Sequence, residues 1–304
     1  MKPKGAMLAT ALLAAFASAG PASAQDLGPQ VKKLADGVYV FVGKNFNSNA
    51  GIVLTQDGVV LIDSGHNPVD SRALAEVVKK LTPMPVRFLI DSEPHPDHTT
   101  GHFVFPTATI VAAAGAGDSM RNREKESPQR IQQLGATSPE MKAALEGYKF
   151  IPPHVEYQQK ATMQVGDRNF ELFWLKGVHS EADTAIWLPK ERVIFSASAF
   201  VTDQINIFRP FVTIPDILAA GKMMKALNPE HVIPGHGQPS TTKLFDDGEK
   251  YYALLVERVG ALIKAGKSRD DIMKEVKMPE YAAWANQDRM PTNIDAAYRM
   301  LAPK

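Results

Sequence analysis

The stretch Ser92-Glu93-Pro94-His95-Pro96-Asp97-His98-Thr99-Thr100-Gly101 decides how this chain is read. Four side chains able to bind a metal, Glu93, His95, Asp97 and His98, fall within six residues on a loop stiffened by two prolines. The segment follows the apolar run Arg87-Phe88-Leu89-Ile90, which reads as a strand. Alternate positions of an extended segment project to one side, so Glu93, His95 and Asp97 point together. His98 turns with the chain as the next helix starts. Imidazole and carboxylate together suit zinc, and also iron or manganese.

Two further histidines occupy equivalent positions elsewhere in the chain. His179 lies in Gly177-Val178-His179-Ser180-Glu181-Ala182-Asp183, just after the run Leu172-Phe173-Trp174-Leu175. His236 lies in Pro234-Gly235-His236-Gly237, just after His231-Val232-Ile233. Both are histidines at strand ends beside glycine, where the backbone turns tightly enough to present the ring. Asp63, in Leu61-Ile62-Asp63-Ser64-Gly65, ends another strand in the same way.

Around these points the pattern is one of two strand-rich halves with helices attached. Runs at 38–42, 51–55 and 58–62 read as a meander, with a turn at Gln56-Asp57-Gly58. A helical stripe of Leu74, Val77, Val78 and Leu81 stops at Pro83 and Pro85, and a strand is predicted at 109–113. Residues 115–150 read as a polar, helical surface insertion. Strands resume at 162–165, 169–175, 184–188 and 192–196, then a helix at about 215–227. In the tail, Tyr252, Leu255, Val256, Val259, Leu262 and Ile263 form the stripe of an amphipathic helix. Two sheets packed face to face with helices outside satisfy this pattern, an α/β protein of four layers, αββα. The candidate ligands come from both halves, which favours one domain over two.

Composition narrows the function. Lys2 and Lys4, the uncharged run Ala6–Gly20 and the small-residue site Ala22-Ser23-Ala24 have the layout of a secretory signal peptide, giving a mature chain of residues 25–304 in the periplasm or outside the cell. Lysine and arginine number 34 against 33 acidic residues, a net charge of +1 with no long run of one sign, so neither nucleic acid nor a membrane surface is indicated as a partner. There is no cysteine, which excludes thiolate chemistry and disulfides, and 44% hydrophobic residues provide an ample core.

In its motifs the chain resembles the metallo-β-lactamase superfamily over about residues 36–240. That family carries His-x-His-x-Asp-His, a His after a Gly, an Asp, Ser or Cys after a strand, and a Pro-Gly-His near the end. The resemblance implies a metallo-β-lactamase fold and a two-metal site, with zinc expected at both positions. Glu93, His95 and His179 would hold the first ion; Asp97, His98 and His236 would hold the second. Asp63 falls where the family has an aspartate that orients a ligand imidazole. Two departures stand out. Glu93 replaces the first histidine, which adds a negative charge to the first ion's shell. Ser198, in Phe195-Ser196-Ala197-Ser198-Ala199-Phe200, stands where many members have an aspartate bridging both metals. That serine is shared with the third β-lactamase subclass, whose metals are joined by water or hydroxide alone.

The implied activity is hydrolysis of a cyclic amide or ester in a small molecule by hydroxide formed on the metals, with Asp97 holding the nucleophile and relaying its proton. β-Lactams, lactones, esters and thioesters are all candidate substrates. Phe200 weighs against a β-lactamase, because the third subclass often places a carboxylate-binding Ser or Thr there. A mononuclear iron oxygenase of sulfur compounds is the rival class, and the complete second ligand set argues against it. Of the other histidines, His66 and His102 are candidates to line the pocket or to make structural hydrogen bonds, while His154 and His231 read as structural. Trp174 and Trp187 are expected in the core.

Overall fold

The computed structural model describes residues 26–124 and 127–302; the signal segment lies outside them. Twelve strands among these residues form two sheets. The first holds β1 (Val31–Ala35), β2 (Val38–Phe41), β3 (Ala50–Thr55), β4 (Gly58–Ile62), β5 (Val86–Ile90), β6 (Thr109–Ala113) and β7 (Val155–Tyr157), in sequence order. The second runs β12-β11-β10-β9-β8, with β8 at Lys160–Val165, β9 at Arg168–Leu175, β10 at Asp183–Leu188, β11 at Val193–Phe195 and β12 at His231–Ile233.

The period of two in each strand sets the layers. In β4, Val60 and Ile62 face the second sheet while Val59 and Leu61 face outward. In β9, Phe170 and Leu172 face the first sheet and Leu175 faces the other way. Both faces of both sheets are therefore apolar, and helices cover the outer ones. Outside the first sheet lies α1 (Pro68–Leu81), whose Leu74, Val77 and Val78 pack on Val59, Leu61 and Leu89. Asn67 caps this helix by accepting from the Asp70 amide at 3.0 Å, and Pro68 sits in its first turn. Outside the second sheet lie α6 (Ile214–Ala226), α7 (Lys243–Lys264), α8 (Arg269–Glu275) and α9 (Met290–Leu301). Between α1 and α6 in the chain come the single turn α2 (Pro96–Thr99) and the three helices α3 (Ala116–Glu124), α4 (Ser127–Gly135) and α5 (Pro139–Ala144). This is the four-layer αββα sandwich that the pattern predicts, with the 115–150 segment helical as expected.

The differences are physical. The edge strands β1 and β7 escape the sequence reading because one carries Lys32 and Lys33 and the other is three residues long. Trp187 is core, but Trp174 is only half-buried, beside Lys176 at the sheet surface. The tail continues past the expected helix into α8 and α9, which complete the outer core.

The sandwich also aligns the ends of its strands. Parallel β4 and β5 finish at Asp63 and at the Glu93 loop. In the second sheet β9, β11 and β12 run the same way and finish before His179, Ser198 and His236. Asn49 ties the two sheets together there, donating from Nδ2 to the carbonyls of Pro234 and Gly237 at 2.9 Å each.

Phe170 is fully buried between the sheets. Phe170→Ala should therefore cost about 3–5 kcal/mol of unfolding free energy. Chemical denaturation should show this as a lower midpoint at unchanged slope, and a loss below about 1 kcal/mol would mean that the inter-sheet core lies elsewhere.

Candidate metal centre

Glu93, His95, Asp97, His98, His179 and His236 converge at one rim of the sandwich, although up to 143 positions of sequence separate them (236 − 93). Glu93 is fully buried. Its Oε2 lies 2.5 Å from His95 Nδ1 and 3.3 Å from His179 Nε2. Its Oε1 lies 2.8 Å from His98 Nε2 and accepts a hydrogen bond from Ser198 Oγ. Asp97 Oδ2 lies 3.3 Å from His236 Nε2 and 3.8 Å from His98 Nε2, and those two nitrogens are 3.3 Å apart.

Local structure fixes each ring. His95 caps the turn that Pro96 begins, and His98 sits within that turn. Asp63 adopts a left-handed backbone (φ 59°) at the end of β4. From there its carboxylate accepts from the Ser92 amide at 2.7 Å, from Ser92 Oγ at 2.6 Å and from His98 Nδ1 at 2.9 Å. His236 Nδ1 donates to the Phe46 carbonyl at 2.8 Å. Both imidazoles thus commit their Nδ1 protons outward and leave Nε2 free to face the site. Asp183 shapes the His179 loop, accepting from the amides of His179 and Ser180 at 2.6 and 2.8 Å. Burial, reinforced by the Glu93 charge, pushes the Asp183 carboxyl up to about 7. Gly235 is required by close approach: a Cβ there would meet Ser198 Oγ at 2.3 Å.

The electrostatics call for a cation. Burial opposes charge on Glu93, yet His98 and His179 hold its carboxyl well below the usual carboxylate range. Asp97 is likewise held low against burial by His98 and His236. Burial takes the His179 imidazole down to about 3, so it is neutral, the form a metal ligand requires. His98 is driven the other way, against burial, by Glu93, Asp63 and Asp97. No lysine or arginine among the described residues forms an ion pair with Glu93 or Asp97. With Nδ1 of His98 and His236 donating outward, the two Nε2 atoms face each other at 3.3 Å, an approach relieved either by a proton kept on His98 or by a metal ion bound to both. Glu93, His95 and His179 offer donor atoms all within 4.8 Å of one another, as do Glu93, His98 and His236. The donor set, imidazole with carboxylate, fits a divalent metal.

The site forms the floor of a cavity of about 370 Å³. His66 lines it, its Nδ1 3.2 Å from the Ser48 amide and 3.8 Å from Asp97 Oδ2. His102 does not; it is buried between Asp91 Oδ1 and the Ile151 carbonyl, 2.8 Å from each, in a structural pair. His154 accepts from the Ile110 amide at 2.9 Å, a structural role as read from the sequence. The sequence gives no sign of Arg209 and Arg289, which also line the cavity. Each stands alone in the chain, outside any motif, and only the fold brings them to the metal rim.

A family model described as the metallo-beta-lactamase superfamily matches residues 43–236. The chain belongs to that superfamily. Among solved structures it is similar to the stereoselective inverting sec-alkylsulfatase Pisa1 from Pseudomonas sp., at 18% identity and a TM-score of 0.68. That match covers 89% of this chain and 50% of the sulfatase, so the chain spans about half the sulfatase's length. It is also similar to a metallo-beta-lactamase from Pontibacter korlensis (18% identity, TM-score 0.55, covering 71% of this chain and 94% of that one). The DIM-1 metallo-beta-lactamase matches at 14% identity and a TM-score of 0.56, covering 72% and 94%. At these identities the likeness is one of fold. No curated protein matches the sequence.

Asp63→Ala should weaken zinc binding about 10–100-fold, because His98 loses the acceptor that orients it. Competition against a chromophoric chelator measures this, with His154→Ala as the unaffected control. Equal affinities in the two variants would remove Asp63 from the site.

Proposed function

We propose that this chain hydrolyses an ester or cyclic amide in a small anionic substrate, using two divalent ions, with zinc as the physiological metal. Glu93, His95 and His179 hold one ion; Asp97, His98 and His236 hold the other. The observation that carries the reading is the convergence of Glu93, His95 and His179, and of His98 and His236 with Asp97 3.3–3.8 Å from them, at the floor of one open cavity. When bound, such a metal pair supplies an acidified water and a polarising charge. A single-iron oxygenase has no use for the second set.

The protein's own groups do the rest. Asp97 is the ligand most open to the cavity, its side chain 34% exposed, and is placed to accept the proton of the attacking water. Arg209 donates through Nε to the His179 carbonyl at 3.0 Å, and Arg289 through Nη1 to the Ile205 carbonyl at 3.2 Å. Neither forms an ion pair with a carboxylate among the described residues, so their remaining donors are free for a carboxylate or sulfate group. Phe46, Val201 and Ile207 provide apolar wall for the rest of the molecule. Phe200 is buried against Phe245 at 5.2 Å, away from the cavity, so anion binding falls to the arginines. β-Lactams, carboxylated lactones and alkyl sulfates all fit this description. The charged, apolar and small-residue regions of the first 24 residues support export, with a mature chain starting near Gln25.

The test is a substrate panel: a chromogenic cephalosporin, a carboxylated lactone, a secondary alkyl sulfate and a neutral ester of similar size. At least one anionic member should turn over, and a chelator should abolish it. Arg209→Ala should raise KM for that substrate about 10–100-fold, as expected for losing a charged hydrogen bond, with little effect on the neutral ester. Preference for the neutral ester would overturn the substrate class.

Metal removal should also register in stability. An ion at a hundred times its Kd contributes about 2.7 kcal/mol, so stripping the protein should lower Tm by about 5 °C or more, and zinc should restore it. A melting curve indifferent to chelator and zinc would sink the metal assignment.

A further inference from the structure

The two oxygens of Glu93 serve different sets of histidines. Oε2 faces His95 Nδ1 and His179 Nε2; Oε1 faces His98 Nε2 and carries the Ser198 hydroxyl proton. Glu93 is also the residue common to both groups of donors that close to within 4.8 Å. We propose that Glu93 bridges the two metal ions, one oxygen to each, and that Ser198 is the positioning residue that sets the rotation of its carboxylate. This rests on the two-ion reading of the site and goes beyond it, because nothing in the ligand pattern assigns a shared protein ligand.

The two departures from the family motif then become one exchange. Where many members place the bridging carboxylate at the position of Ser198, this chain moves it across the site to position 93. The vacated position keeps a short hydroxyl, which is the group a carboxylate needs as a donor. Gly235 belongs to the same arrangement, since any side chain there would occupy the space of Ser198 Oγ. Asn206 Nδ2 donates at 2.5 Å to the Ser198 carbonyl and holds that segment from behind. Formal charge is also conserved: a carboxylate is gained at one side and given up at the other. Glu93 is wholly buried at the base of the cavity, so the bridge leaves the upper face of the pair to water and substrate.

The test reads metal binding, independently of turnover. Protein stripped by chelator is titrated with zinc, and the affinity of each ion is obtained by competition for the wild type, Glu93→Gln and His95→Ala. The wild type should take up two ions, and uptake of one would sink the two-ion reading and the bridge together. His95→Ala should weaken one ion only. Glu93→Gln should weaken both by at least about tenfold. If Glu93→Gln weakens a single ion and leaves the other within about twofold, the bridge is overturned while the two-ion site stands. A zinc-loaded crystal of the wild type decides the matter should the variant not fold. The proposal requires Oε1 and Oε2 within about 2.0–2.2 Å of different ions, and both oxygens on one ion would overturn it.

Discussion

A carboxylate with no exposure to water governs this molecule. Glu93 lies at the rim of an apolar sandwich, where an unpaired negative charge is severely penalised. No lysine or arginine forms an ion pair with it among the described residues; three imidazoles, two from its own loop and one from the loop after β9, do. The rest of the site serves that arrangement. Asp63 and the Phe46 carbonyl turn two histidines so that their Nε2 atoms face inward, and Asp183 shapes the loop of a third. Such an assembly is stable in one of two ways, by retaining a proton on His98 or by exchanging it for a metal cation.

The fold makes this concentration of charge tolerable by separating packing from chemistry. Three apolar cores, one between the sheets and one outside each, hold the strands rigid. The polar groups are confined to the ends of those strands. There the backbone departs from ordinary conformations, with Asp63 at φ 59° and Ala197 at φ 51°, neither of them glycine. Left-handed residues of that kind persist when their surroundings hold them, and here Asp63 aims the carboxylate that orients His98 while Ala197 precedes the serine that reaches Glu93.

The comparisons bear on architecture more than on substrate. Proteins whose names specify a sulfatase and β-lactamases share this sandwich at 14–18% identity. One scaffold carrying a metal pair accommodates different scissile bonds, because the groups that select substrate sit on the loops around it. In this chain the loops around the site bring Arg209, Arg289, Phe46, Val201 and Ile207 to the cavity.

The sequence by itself determined the layers and the ligand types. Period-two strands, a helical stripe stopped at Pro83, and histidines beside glycine at strand ends are local signals, and local sterics and burial enforce them. Hence β4, β5, α1 and the Glu93–His98 loop were legible, as were His179 and His236. Edge strands β1 and β7 were not, because half-exposed or very short segments carry no apolar alternation. Nor were the roles of Arg209, Arg289 and Asp183, which depend on neighbours distant in sequence. The same holds for Glu93. Its residue type marked it as a ligand of one ion, but facing two sets of histidines at once is a relation among three separate segments. Only the closing of one sheet over the other creates it.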